Sequence, residues 1–134
     1  MDYETAGDVQ EIINRVVAVL FPKYNSSRVL AVRSKGSTVR AYARIWSMPK
    51  VWQTALDIDA FYVIEVLSEH FDRLPHETKE KVIIHEIMHI PSTFSGAIVP
   101  HKFKSKCIDD RTVNKMYMEY TKILEEKPWL AQQE

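Results

Sequence analysis

Residues Val82–His101 read VIIHEIMHIPSTFSGAIVPH, and the reading of this stretch decides the rest. It contains His85-Glu86-Ile87-Met88-His89, a match to H-E-x-x-H. Residues four apart on an α-helix share one face, one turn above the other. His85 and His89 can therefore aim two imidazoles at one metal ion, with Glu86 beside them as a general base for water activated there. The other positions, Val82, Ile83, Ile84, Ile87, Met88 and Ile90, are apolar. A helix with that composition is buried, and two His and a Glu inside it cost free energy unless paired or bound to metal. Pro91 ends the helix. His101 follows a loop containing Ser95-Gly96 and Pro100, and is the best-placed third protein ligand; a catalytic zinc keeps its fourth position open for water. The rival reading is a core helix with two incidental histidines.

Several runs around this stretch carry a resemblance. Ala43-Arg44-Ile45, Trp52-Gln53-Thr54-Ala55-Leu56, Tyr62-Val63-Ile64-Glu65 and Phe71-Asp72-Arg73-Leu74 precede HEIMHIPSTFSGAIVPHK. Together, over roughly residues 40–105, they resemble a family of small predicted metallopeptidases common in archaea and related to phage metallopeptidase domains. The resemblance implies a zincin-like fold, one zinc on His85, His89 and His101, and Glu86 as the catalytic carboxylate. A weaker similarity is to SprT-like proteases, which also place a third His a dozen or so residues past the helix. The chain departs from many of those in having no four-cysteine zinc ribbon.

Composition narrows the alternatives. The 134 residues suggest one domain spanning 1–134, and 46% hydrophobic content is enough for a core. Lys+Arg and Asp+Glu both number 18, which gives no bulk attraction to nucleic acid or an anionic membrane. The single cysteine, Cys107, excludes an intrachain disulfide and a cysteine-based zinc site. The acidic start Met1-Asp2-Tyr3-Glu4-Thr5 lacks a signal-peptide pattern, and no apolar run is long enough to span a bilayer. The expectation is a cytoplasmic protein.

Periodicity places the elements. Val9, Ile12, Ile13, Val16, Val17 and Leu20 recur at helical spacing, which predicts a helix over about 5–20, ended by Pro22. Strands are expected over about 28–34 and 38–46, joined at Lys35-Gly36-Ser37, and over 60–67. In the second, Arg40 and Arg44 share one face; a solvated face is the ordinary reading, a substrate carboxylate or nucleic acid the functional one. Glu65 either supports a ligand histidine or points to solvent from a half-exposed strand. The metal-bearing helix is expected from about Pro75 to Ile90. A last helix over about 109–126, capped by Asp109 or Asp110, carries Val113, Met116, Tyr117, Tyr120, Ile123 and Leu124 on one stripe, and the tail Trp129–Glu134 is expected to be loose. His70 and His76 lack motif spacing and stand outside the site. Lys102–Lys106 is a short basic run, ordinarily solvated.

These readings converge on an α+β fold: a small, mainly antiparallel sheet with an N-terminal helix, a metal-bearing helix and a C-terminal helix. The expected function is zinc-dependent peptide-bond hydrolysis, with a peptide or protein as partner. Tyr117, Tyr120, Lys102 and Arg111 are candidates for a second electrophile. The rivals are a non-catalytic zinc-binding or interaction protein and a DNA-associated protease of the SprT-like type.

Overall fold

Residues 1–103 and 106–132 are described by a computed structural model. Its framework is a four-stranded sheet built from β1 (Asp2–Thr5), β2 (Val29–Lys35), β3 (Ala43–Trp46) and β4 (Tyr62–Leu67), in the order β1-β2-β4-β3. The architecture is α+β, and the sheet is mixed. β1 and β3 pair antiparallel with their neighbours, whereas the central pair β2–β4 is parallel. Two of the three pairings are antiparallel, as expected of a mainly antiparallel sheet, and the central one is parallel. A parallel central pair is not visible from local alternation, because it depends on which strands a long connection brings together.

One face of this sheet forms the core. Val29 and Ala31 of β2 and Tyr62, Ile64 and Val66 of β4 are buried against α1 (Gly7–Leu20) and α4 (His76–Met88). α1 turns Val9, Ile12, Ile13, Val16 and Val17 inward, and α4 turns Ile83, Ile84 and Ile87 inward. α5 (Asp110–Glu126) closes the layer with Val113 and Tyr120. Asp109 caps α5 through a reciprocal box with Thr112. Two short helices, α2 (Lys50–Leu56) and α3 (Ser68–Phe71), complete the connections, and a small hairpin, β5 (Lys102–Phe103) with β6 (Lys106–Cys107), leads into α5. No helix among the described residues is long and apolar enough to cross a membrane.

Three expectations change. β1 had no alternation signal and was not foreseen; its four residues are all exposed. The strand expected over 38–46 is confined to β3, because β4 ends at Leu67 and leaves residues 38–41 without a partner. Trp129–Gln132 belong to a short 3-10 helix over Pro128–Gln132 and Leu130 packs on the core, so that part of the tail is held. Lys104 and Ser105 of the basic run lie outside the described residues, as do Gln133 and Glu134.

Glu65 follows neither sequence reading. It is fully buried, yet its oxygens meet no histidine. Arg44, its cross-strand partner, donates Nε to Oε1 at 2.8 Å and Nη2 to Oε2 at 3.2 Å, and Trp46 Nε1 donates to Oε1 at 2.9 Å. Burial pushes the Glu65 carboxyl up, but the Arg44 guanidinium and its companions outweigh that and hold it below its ordinary value. A depressed folded value means stability present above pH 4.5 and lost as pH falls through the folded value. This ion pair fixes the edge strand β3 to β4. Arg44→Met should cost about 3 kcal/mol at neutral pH, near the low end for breaking a buried pair, since the Arg44 side chain is 32% exposed. Chemical denaturation should show a smaller cost at pH 4, where Glu65 is protonated in the variant, and Glu65→Leu added to Arg44→Met should restore most of the loss.

Candidate metal centre

α4 ends at Met88, one turn after His85, but His89 keeps helical dihedrals (φ −75°, ψ −10°) and its N–H still reaches Glu86 O. The four-residue spacing therefore holds through the helix end, and the His85 and His89 rings lie 5.2 Å apart between centroids. The chain then returns along residues 91–101. His101 lands 5.2 Å from His85 and 4.5 Å from His89. One ligand atom from each of the three rings lies within 4.8 Å of the others.

The fit to a metal can be tested on the nitrogen positions. His85 Nε2 and His101 Nε2 are 3.2 Å apart. A tetrahedral site with Zn–N arms of about 2.0–2.1 Å has edges of roughly 3.3 Å, so this pair fits. His89 Nδ1 contacts the Val99 carbonyl. A carbonyl oxygen only accepts, so Nδ1 carries the proton and Nε2 keeps its lone pair for a metal. Burial holds both His85 and His89 below the ordinary histidine value, with the neighbouring rings adding to the effect. Both are thus neutral, and able to bind a cation, near neutral pH.

Glu86 occupies the same pocket. Its Oε2 lies 4.0 Å from His85 Nε2, and no hydrogen bond among the described residues holds the carboxyl. Burial alone pushes it up to about 7. A cation among the three imidazoles would favour the ionised form and draw that value down again. The cleft around these groups, about 420 Å³, is lined by Ala43 and Ile45 of β3 and by Ile98, Val99 and Pro100 of the loop.

The loop that brings His101 is held by contacts sequence reading missed. Tyr62 of β4 accepts a hydrogen bond from Gly96 N and donates one to Ala97 O, each 2.8 Å. Gln53 of α2 donates to Met48 O at 2.8 Å and to Ser95 O at 2.9 Å. Phe94 packs edge-on against Tyr62. Gly96 has φ +94°, and a Cβ there would overlap the Met48 carbonyl and the Gln53 amide. Only its place among three glycines in the chain hinted at this. Val99 N then donates to His89 O at 2.7 Å, so His89 and Val99 are joined through both backbone and side chain.

The proposed second electrophiles do not reach the cleft. Tyr120 OH donates to Glu80 at 2.6 Å and accepts from Arg15 at 2.9 Å, and Tyr117 OH donates to Glu80 at 3.2 Å. Both serve the α1–α4–α5 interface. Lys102 and Arg111 do not line the cleft.

A family model described as "Putative phage metallopeptidase" matches residues 1–121. Searches of curated proteins and of solved structures return no match.

Gly96→Ala is the sharpest test of the loop. Strain at this position should cost about 1–3 kcal/mol, and misplacing Val99 and His101 should weaken metal binding about 10–100-fold. Metal titration against a chromogenic chelator, beside thermal melts, reads both quantities. Unchanged affinity would show that the loop tolerates the added methyl without moving the histidines.

Proposed function

The chain belongs to this phage metallopeptidase family, and from that premise we propose that it hydrolyses peptide bonds with one zinc ion on His85, His89 and His101. The observation that carries the reading is the convergence of three imidazoles and a buried carboxyl without a hydrogen-bond partner among the described residues in one cleft. The all-imidazole donor set suits zinc, and zinc so held supplies Lewis acidity that activates water and polarises the scissile carbonyl.

The remaining work falls to the protein. Glu86 takes the proton of the attacking water and passes it to the departing amine. Its site 4.0 Å from His85 Nε2 keeps that transfer inside the cleft. Among the described residues no hydrogen bond competes for the carboxyl, which is why a buried Glu is useful there and would be a cost in a purely structural centre. Ile45, Ile98, Val99 and Pro100 give the cleft apolar walls beside the reacting groups.

The edge of β3 suits a peptide. Leu67 N donates to Tyr42 O, which makes Tyr42 a hydrogen-bonded partner of β4. By alternation, Arg44 and Trp46 also face β4, whereas Ala43 and Ile45 turn their N–H and C=O groups outward. Ala43 and Ile45 are the β3 residues nearest to the histidines in the core-facing layer, so a substrate added as a strand lies along the cleft.

A non-catalytic zinc protein remains the rival, and it would be favoured by a fourth protein donor; the cluster among the described residues has three. Glu86→Gln discriminates. The nearly isosteric amide should keep fold and zinc content yet lower peptide cleavage by at least ~10²-fold, the usual scale of general-base catalysis. Mass spectrometry of a diverse peptide library at equal zinc occupancy measures it, and equal cleavage by both proteins would refute Glu86 as the base. Chelation should abolish cleavage while leaving the far-ultraviolet helix signal, because the core of a chain this size does not depend on metal; complete unfolding would favour the structural rival.

A further inference from the structure

We propose that the surface pocket formed by Arg40, Ala41, Tyr42, His70 and Arg73 is an anion subsite that receives a carboxylate of the substrate, on the C-terminal side of the segment lying along β3. The inference rests on the peptidase reading and gives it a substrate class: peptides with an acidic residue, or a free C-terminus, at that end.

The pocket, about 570 Å³, gathers two guanidinium groups, an imidazole and a phenol, and no carboxylate of the described residues lines it. The acids nearby are committed elsewhere. Asp72 accepts from Arg33 Nε at 3.1 Å and from Ser68 Oγ at 2.6 Å. Glu69 accepts from Gly36 N at 3.1 Å. Glu65 is held by Arg44 and Trp46. Arg40 and Arg73 make no ion pair among the described residues. Two like charges in one concave surface are unfavourable alone and favour an anion between them. Planar guanidinium forks match a carboxylate through paired N–H donors.

Position supplies the second argument. Ala41 lines both this pocket and the histidine cleft, so the two are continuous along the chain leading into β3. A strand added to the free edge of β3 pairs best antiparallel, as β3 itself pairs with β4. Such a strand runs from the Ile45 end toward Ala43, and its C-terminal continuation arrives at Arg40. The two arginines that share a face in the sequence pattern thus take separate tasks: Arg44 neutralises Glu65, and Arg40 is left for a ligand. A nucleic acid is the less suited occupant. The chain has equal numbers of acidic and basic residues, and two phosphate contacts give little of the counterion release on which such binding depends.

The test compares peptides of one sequence carrying Glu, Gln or Lys at successive positions C-terminal to the cleaved bond, each with a free or an amidated terminus. Cleavage by the zinc-loaded wild type and binding to zinc-loaded Glu86→Gln by fluorescence anisotropy are both measured. A Glu peptide, or a free terminus at the same place, should be preferred over its neutral counterpart about tenfold in kcat/KM and in affinity. The Glu/Gln ratio should fall to about one in Arg40→Gln/Arg73→Gln, and Arg40→Glu/Arg73→Glu should prefer Lys. Which peptides respond, side-chain acids or free termini, identifies the carboxylate. Acid preference in binding without any cleavage would support the subsite while the catalytic reading fails. Cleavage with a ratio near one in the wild type would overturn the subsite and leave the peptidase standing. Binding of a DNA oligonucleotide that is lost in Arg40→Gln/Arg73→Gln, with no acid preference among peptides, would also overturn it.

Discussion

The double link between His89 and Val99 is the constraint on which the site depends. Val99 N donates to His89 O, and the His89 ring donates back to the Val99 carbonyl. One contact joins the last turn of α4 to the returning loop; the other sets the His89 tautomer. Two residues after Val99, His101 reaches the rings of His85 and His89. A helix alone can present two imidazoles, since that needs only its own pitch. The third must come from a distant part of the chain, and its position is only as good as the loop's anchorage. Here that anchorage is backbone pairing, the Tyr62 hydroxyl and the crowding at Gly96.

The rest of the fold supplies two unlike walls around that point. α4 is packed so that Ile83, Ile84 and Ile87 are lost to the core, leaving His85 and Glu86 toward the opening. β3 forms the opposite wall, held in register by the Glu65–Arg44 pair and Trp46. Burying a carboxylate between two strands is costly unless it is fully paired. Glu65 is paired and Glu86 is not, although both are buried. The contrast separates a carboxylate that holds the scaffold from one that no hydrogen bond among the described residues engages. It also appears in their acidities, which shift in opposite directions because only one has a guanidinium beside it.

The sequence made the helical part of this arrangement legible, because an i, i+4 rule is local. The same holds for α1 and α5, whose apolar stripes are read directly and whose stripe residues are buried in the core or packed against it. Strand β4 was legible from its aromatic and β-branched run. What was not legible is non-local. β1 is short and exposed on every residue, so no periodicity marks it. The parallel β2–β4 pairing depends on the long connection between them, and the partner of Glu65 depends on strand register. Tyr117 and Tyr120 carry the right chemistry for a site but are engaged by Glu80, a buried acid whose place in α4 gave no sign of it. Tyr62 was legible only as part of the strand run, and its hydroxyl bridges Gly96 and Ala97.

The account stands or falls on whether metal occupancy and hydrolysis are the same event. Metal-free protein titrated with zinc, with bound metal and peptide cleavage followed in the same samples, measures this. The account predicts that both rise together and saturate at one equivalent of zinc per chain. Saturation of binding at one equivalent with no cleavage at any occupancy, or cleavage that proceeds in the metal-free protein, would contradict it.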